Sequence, residues 1–379
     1  MRSSPARPRI FVTQPVAKSA IARLRKVATV KVNPESSRII PKKALVAAVR
    51  KSDILFSLLH DRIDRDVIAA NPALRAIASQ SITPDNIDVA EATRRKIPVT
   101  VVPAIVAEAT ADINFGLMLM VARRMVEGDR MVHKGRFPGS QSNHLVGAAV
   151  YGKTIGLVGG GGRIGTAVAR RARGFGMRVL YWTPRRKPES LEREMAMIYV
   201  PLDQLLKEAD FVSLHSPLRA ETRHQIGARE FALMKPTAFL INTARGAIVD
   251  EAALARALKK RQIAGAGLDV FEHEPDVTPG LLAMPNVVTT PHLGSAVMEV
   301  REQMANIVVD NILALLDGKT PPNCVNPEVL QGYCARVELS HAPSRDRRHR
   351  QPVSLARSGE GRAPARRSRI AHGEESIGR

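Results

Sequence analysis

At 379 residues the chain is long enough for two domains with a sizeable buried core, and its 44% hydrophobic and 25% charged residues are those of a globular protein. The net charge of +21 invites a nucleic-acid partner, but residues 331–379 alone carry 11 Arg against 5 acidic residues, and no aromatic residues interleave with the basic clusters, so nucleic acid is not expected. The longest apolar run, 115–122, is too short to span a bilayer, the start through Pro8 has no secretory apolar region, and Cys324 and Cys334 make neither a disulfide framework nor a metal site; no membrane and no metal is expected, and a reducing cytoplasm is the expected setting.

Over 9–100 short apolar runs alternate with helical patterns. Residues 10–12 read as a strand, 17–27 as a helix, 53–59 as a buried strand, 74–78 as another strand, and 87–95 as a helix closed by Lys96-Ile97-Pro98. This alternation predicts a parallel α/β sheet. The pattern over 108–126 predicts one long helix, apolar on more than one face. Such a helix needs partners on both sides and suggests a domain or subunit interface. A second α/β set starts at Lys153, with strands expected at 154–158, 179–182, 211–215, 238–242, 265–270 and 286–290. Helices fall between most of them, such as 251–260 behind Asp250 as N-cap. This is the rhythm of a doubly wound sheet. After Leu330 the composition turns to Arg, Ser, Pro, Gly and Ala, and 331–379 is expected to form a disordered basic tail.

The strand at 154–158 runs into Gly159-Gly160-Gly161-Gly162-Arg163-Ile164-Gly165 and then a helix. Gly160, Gly162 and Gly165 satisfy the spacing of a dinucleotide turn. One glycine permits the tight turn, one lets the backbone approach a pyrophosphate, and one lets helix and strand pack closely. The helix N-terminus then offers N–H groups to phosphate. After the next strand, where a carboxylate would bind the ribose hydroxyls of NAD, the chain reads Thr183-Pro184-Arg185-Arg186. Two guanidinium groups suit a 2′-phosphate, so NADP(H) is the preferred cofactor expected, with NAD(H) also accepted.

Three further segments each follow a predicted strand: Asn242-Thr243-Ala244-Arg245-Gly246, Asp269-Val270-Phe271-Glu272-His273-Glu274, and Pro291-His292-Leu293-Gly294. They bring an arginine, a carboxylate and a histidine to the edge where open α/β sheets bind ligands. Reduction of a 2-keto acid needs that set. A cation fixes the carboxylate and polarises the carbonyl, a donor protonates the developing alkoxide, and an acid behind the donor favours its charged form.

With these segments, and with Leu214-His215-Ser216-Pro217-Leu218 followed by Glu221-Thr222, the sequence resembles the D-isomer-specific 2-hydroxyacid dehydrogenases over nearly all of 8–330. The closing Pro321-Pro322-Asn323-Cys324-Val325-Asn326 looks most like the glyoxylate and hydroxypyruvate reductase branch. The resemblance implies a cofactor domain of the Rossmann type, 104–295, inserted into a flavodoxin-like substrate domain made of 9–103 and 296–330. It implies Arg245 as binder of the substrate carboxylate and carbonyl, His292 as proton donor, and Glu274, five residues after Asp269, as the partner of His292. Asp269 would hold the nicotinamide carboxamide. Arg163, Ile164, Pro217, Thr222, Thr243, Ala244 and Gly294 would join the glycine turn in lining the dinucleotide site, and the helix at 108–126 would form the contact of a homodimer. The chain departs from the family in three places. The glycine turn carries one extra glycine. The backbone cradle for the substrate carboxylate falls on Ile82-Thr83, followed by Pro84 in place of a valine-glycine pair. Ala107 replaces a threonine near the nicotinamide. A dinucleotide-sensing, corepressor-like protein or a dehydrogenase of another small anion, such as phosphite, is the alternative function.

Overall fold

The computed structural model of the chain describes residues 7–331 and Tyr333. Apart from Gln331 and Tyr333, the expected tail at 331–379 lies outside the described residues.

The first lobe runs β1 (Arg9–Val12), α1 (Lys18–Val27), β2 (Thr29–Val32), α2 (Lys42–Val49), β3 (Ile54–Ser57), α3 (Arg65–Ala69), β4 (Ala76–Ser79), α4 (Val89–Arg94) and β5 (Val99–Thr100). Its five strands pair in parallel in the order β2-β1-β3-β4-β5. Helices cover both faces, which is why β3 and β4 are buried at every position and read as unbroken apolar runs.

The chain then passes through α5 (Ala107–Ala122) and α6 (Met125–His133) into β6 (Thr154–Val158), α7 (Arg163–Gly174), β7 (Arg178–Trp182), α8 (Glu189–Met195), β8 (Met197–Tyr199), α9 (Leu202–Glu208), β9 (Phe211–Leu214), α10 (Ala228–Leu233), β10 (Phe239–Asn242), α11 (Glu251–Lys259), β11 (Gly265–Leu268) and β12 (Val287–Thr289). These strands form a seven-stranded parallel sheet of order β12-β11-β10-β9-β6-β7-β8. Helix α12 (Met298–Leu316) returns to the first lobe. Its Met304, Val308, Ile312 and Leu315 share a core with Ile10, Val12, Ile54 and Ala76. Both lobes are doubly wound, and their strand orders reverse between β1 and β3 and between β6 and β9. Ligands bind at such reversals, beyond the carboxyl ends of the strands.

The long helix expected at 108–126 is two helices. The carbonyl of Ala122 accepts from Ala148 N–H at 2.8 Å, Arg124 takes a left-handed conformation (φ 54°), and α6 starts afresh. The chain returning at 147–148 thus ends α5, and the sequence of α5 itself holds no such stop. The partners that the apolar faces of α5 required also lie within the chain: Ala111, Phe115, Leu117, Met118 and Val121 pack with Ile155, Val168, Phe239 and Ile241 under the second sheet. Among the described residues no helix is long and apolar enough to cross a membrane.

Candidate active site

The glycine turn sits at the reversal of the second sheet. Gly159 has φ +78° and its backbone lies so close to Ser216, after β9, that a Cβ there would stand 2.5 Å from the Ser216 nitrogen. The tight left-handed position is therefore Gly159, the additional glycine, one residue before the expected motif. Gly165 packs on Gly160, where a Cβ would come within 2.2 Å of the Gly160 carbonyl oxygen, so α7 can lie close against β6. A Cβ at Gly162 would meet nothing nearer than 4.0 Å, and that opening is where α7 begins, with Arg163 exposed beside it and Ile164 lining the cleft.

At the end of β7 the structure separates the two expected phosphate binders. Arg186 is held through Nε and Nη2 by the buried Glu192 carboxylate, at 2.8 and 2.7 Å. Arg185 is exposed and makes no ion pair among the described residues, while its carbonyl accepts from the Thr183 hydroxyl at 2.7 Å. Lys187, which sequence reasoning passed over, lays its side-chain stem over Gly161.

A cleft of about 540 Å³ opens between the two sheets. Arg245 stands on the turn after β10, shaped by Asn242, whose side chain accepts from Ala244 N–H and donates to the Arg245 carbonyl, both at 3.0 Å. Its guanidinium reaches across to the first lobe, to Asp85 at 2.9 Å and the Thr83 hydroxyl at 2.7 Å. The N–H groups of Ile82 and Thr83 donate to no other group among the described residues, and both residues line the cleft. Two such N–H groups opening on a cleft fit an anionic ligand.

Asp269, only 1% exposed, accepts from Leu293 N–H at 2.7 Å, the Thr290 hydroxyl at 2.6 Å and Gly294 N–H at 2.8 Å. The carboxylate expected at the nicotinamide also builds the turn that carries His292, and Asp269 lines the cleft. His292 Nδ1 lies 3.0 Å from Glu274 Oε2, and Phe271 N–H donates to Oε1 at 2.9 Å. Burial would raise the Glu274 carboxyl, but hydrogen bonds from His292 and His60, with the His292 charge, hold it well below the usual carboxylate range. Glu272 points elsewhere, to Arg223 at 3.0 Å and His224 at 2.6 Å. Pro217, Thr243, Ala244 and Gly294 line the same cleft. Thr222 does not; its hydroxyl ties the loop together through the Pro217 carbonyl at 2.7 Å.

His60, on the loop after β3, is the residue that sequence reasoning missed. Its Nε2 lies 2.7 Å from Glu274 Oε2. It follows a strand end at the first sheet's reversal, the same signal that singled out His292. His60, Glu274 and His292 offer ligand atoms within 4.8 Å of one another, the one group among the described residues that could hold a metal. His215, beside Ser213 at 3.0 Å, is driven down to about 3 by burial and stays neutral. With an arginine facing two free N–H groups and a histidine backed by a carboxylate, the cleft can bind a small carboxylate and exchange a proton with it.

Comparison with known proteins agrees with this geometry. The profile of the D-isomer specific 2-hydroxyacid dehydrogenase NAD binding domain matches residues 115–294. A glyoxylate reductase of Thermococcus gammatolerans is 48% identical over 329 residues, covering 86% of this chain and 98% of its own. Among solved structures, a glyoxylate reductase from Paecilomyes thermophila is 32% identical with a TM-score of 0.73, over 86% of this chain and 100% of that one. An NADPH-dependent glyoxylate/hydroxypyruvate reductase from Sinorhizobium meliloti, solved with NADP and malonate, is 31% identical with a TM-score of 0.71, over 85% and 98%. The chain belongs to the D-isomer-specific 2-hydroxyacid dehydrogenase family and is an NAD(P)-dependent oxidoreductase.

Proposed function

We propose that the enzyme reduces glyoxylate, hydroxypyruvate and 2-keto acids of that size to D-2-hydroxy acids, with NADPH preferred over NADH. The observation that carries this reading is the convergence of Arg245 and the Glu274–His292 pair, from three strand ends, on one cleft beside the glycine turn. The glyoxylate reductases named above support the substrate class. The dinucleotide fits the residues present, since Gly162 leaves room for a pyrophosphate at the start of α7. Gly160, Arg163, Ile164 and Gly165 would hold its phosphates and Thr183 and Arg185 its adenosine end. Pro217, Thr243, Ala244 and Gly294 would flank the remainder. Its nicotinamide supplies the hydride.

The chain's own residues do the rest. Arg245, with the N–H groups of Ile82 and Thr83, fixes the substrate carboxylate and draws electron density from the keto carbonyl. His292 gives its proton to the keto oxygen as negative charge develops there, and takes it back in the reverse direction. Glu274 engages Nδ1, which leaves Nε2 for the substrate. The preference for NADPH rests on the exposed, unpaired Arg185 and on the lack of a carboxylate at Thr183.

The test is an initial-rate panel of 2-keto acids with each reduced cofactor, read at the nicotinamide absorbance. Turnover of glyoxylate or hydroxypyruvate is expected. Failure on every 2-keto acid, with dinucleotide binding intact, would favour a sensor built on the same fold, and oxidation of phosphite alone would favour the other-anion alternative. We also infer a homodimer in a reducing cytoplasm. Met125, Val132, Phe137, Val146 and Tyr151, along α6 and the segment after it, are large apolar residues between 53% and 75% exposed, a surface suited to a second copy. Sedimentation of a monomer at working concentrations would overturn the dimer.

A further inference from the structure

We propose that His60 is a positioning residue of the reaction, carried by the first lobe, which shares the Glu274 carboxylate with His292 and ties assembly of the proton donor to the meeting of the two lobes. The proposal rests on the 2-keto acid reductase reading above.

One carboxylate oxygen serves both imidazoles. Glu274 Oε2 lies 2.7 Å from His60 Nε2 and 3.0 Å from His292 Nδ1. The two rings meet edge to face, with centroids 5.3 Å apart and planes at 84°. The other oxygen is held by Phe271 N–H. With three donors around it, the carboxylate has one orientation, and that orientation sets the ring of His292. His60 follows β3 in the first sheet, whereas Glu274 and His292 follow β11 and β12 in the second. The bond from His60 therefore forms only when the lobes stand this close, and the proton donor is fully held only then.

The other charged groups around His60 do not replace this contact. On its own loop Asp61 is occupied by the Thr13 hydroxyl and by Leu58 N–H at 2.7 Å, with its carboxyl pushed up by burial. Arg62 points at Asp64, 3.7 Å away. Within the cleft Asp85 is paired with Arg245, and Arg301 donates to the Ser295 carbonyl at 2.9 Å. Glu274 is the carboxylate left to His60. Because both imidazoles draw on one oxygen, loss of His60 leaves that oxygen to His292 alone and frees the carboxylate to turn away from the orientation that sets the His292 ring.

The experiment compares wild type, His60→Ala and His60→Gln across pH. The glutamine amide N–H can stand where Nε2–H stood. For His60→Ala, kcat falls about tenfold, the size usual when a group that orients a reacting side chain is lost. His60→Gln returns kcat to within about threefold of wild type, since it restores the donor. Unchanged dinucleotide affinity in both variants shows that they are folded. A His60→Ala profile that superimposes on wild type, or a His60→Gln enzyme as slow as His60→Ala, would overturn the proposal. Wild-type failure on every 2-keto acid would instead sink the function reading. In that event, imidazole nitrogen NMR of the dinucleotide-bound protein still decides: a His292 signal indifferent to His60→Ala overturns the shared carboxylate.

Discussion

His292 holds a left-handed backbone (φ 56°), a conformation that costs a non-glycine residue about 1–3 kcal/mol. Its own N–H on the Asp269 carbonyl at 2.9 Å and the three donors on the Asp269 carboxylate offset that strain and aim the ring at Glu274. In the proposed reaction a residue held so firmly would contribute through its proton. His292→Gln is expected to lower kcat by about a hundredfold or more while cofactor affinity stays near wild type, the usual size of a lost general acid. Turnover within a few-fold of wild type would remove His292 from the chemistry. Under the proposed preference for NADPH, cofactor choice would turn on a second single residue. A charge-assisted hydrogen bond contributes about 1.5–3 kcal/mol, and each 1.4 kcal/mol is roughly tenfold, so Arg185→Ala should cut the NADPH-over-NADH ratio of kcat/KM by about tenfold or more. Arg186→Ala should change it little, since Glu192 already holds that guanidinium. Equal effects of the two substitutions would refute this division.

At the scale of elements, the corner between β7 and α8 is pinned by Glu192, which accepts from Arg186 and from the Tyr181 hydroxyl at 2.6 Å. The hydrogen bonds from Arg186 and then Tyr181 lower its carboxyl from 4.5 to about 2, against burial, which would raise it. A carboxyl depressed by folding contributes stability that is complete above its unfolded value and is lost as pH falls through the folded one. Glu192→Gln should therefore destabilise the protein at neutral pH, with the gap to wild type closing as pH falls from 4.5 towards 2. Urea unfolding along that range measures it; a gap independent of pH would assign the loss to packing. Elements differ in how plainly the sequence displays them. The central strands, such as Ile54–Ser57 and Phe239–Asn242, are buried at every residue and stand out as apolar runs. Asp250 caps α11 as expected, accepting from Ala253 N–H at 2.8 Å. The edge strands Thr29–Val32 and Met197–Tyr199 escape such a reading because they are half exposed. The break after Ala122 escapes because its cause sits 26 residues downstream, at Ala148. In the candidate site, Arg245 and His292 stand out in the sequence at strand ends and Glu274 is singled out from Glu272 only by the family resemblance, whereas His60 is a single loop histidine whose partner is 214 residues away.

On the scale of the whole molecule, the described residues cross between lobes twice, so α12 closes the lobe that β1 opens. The packing does not stop where composition suggests. Tyr333 is 4% exposed and joins Leu330, α12 and the first strands in one core, although it lies beyond Leu330, where the tail was expected to begin. Removal of a large buried side chain leaves a cavity as well as losing its burial, and for an aromatic residue in a core the loss is about 3–5 kcal/mol. Both Tyr333→Ala and a truncation after Leu330 should therefore lower the melting temperature of the first lobe by several degrees or more. Activity at moderate temperature should survive, because no residue of the cleft is removed. A truncation after Tyr333 should melt like the full chain, since the remaining residues are rich in Arg, Ser, Pro and Gly and poor in large apolar side chains. Calorimetry of the three variants separates the outcomes. Equal melting of the Leu330 truncation and the full chain would show that Tyr333 contributes nothing to the core, while a large drop on truncation after Tyr333 would show that the basic segment holds the fold.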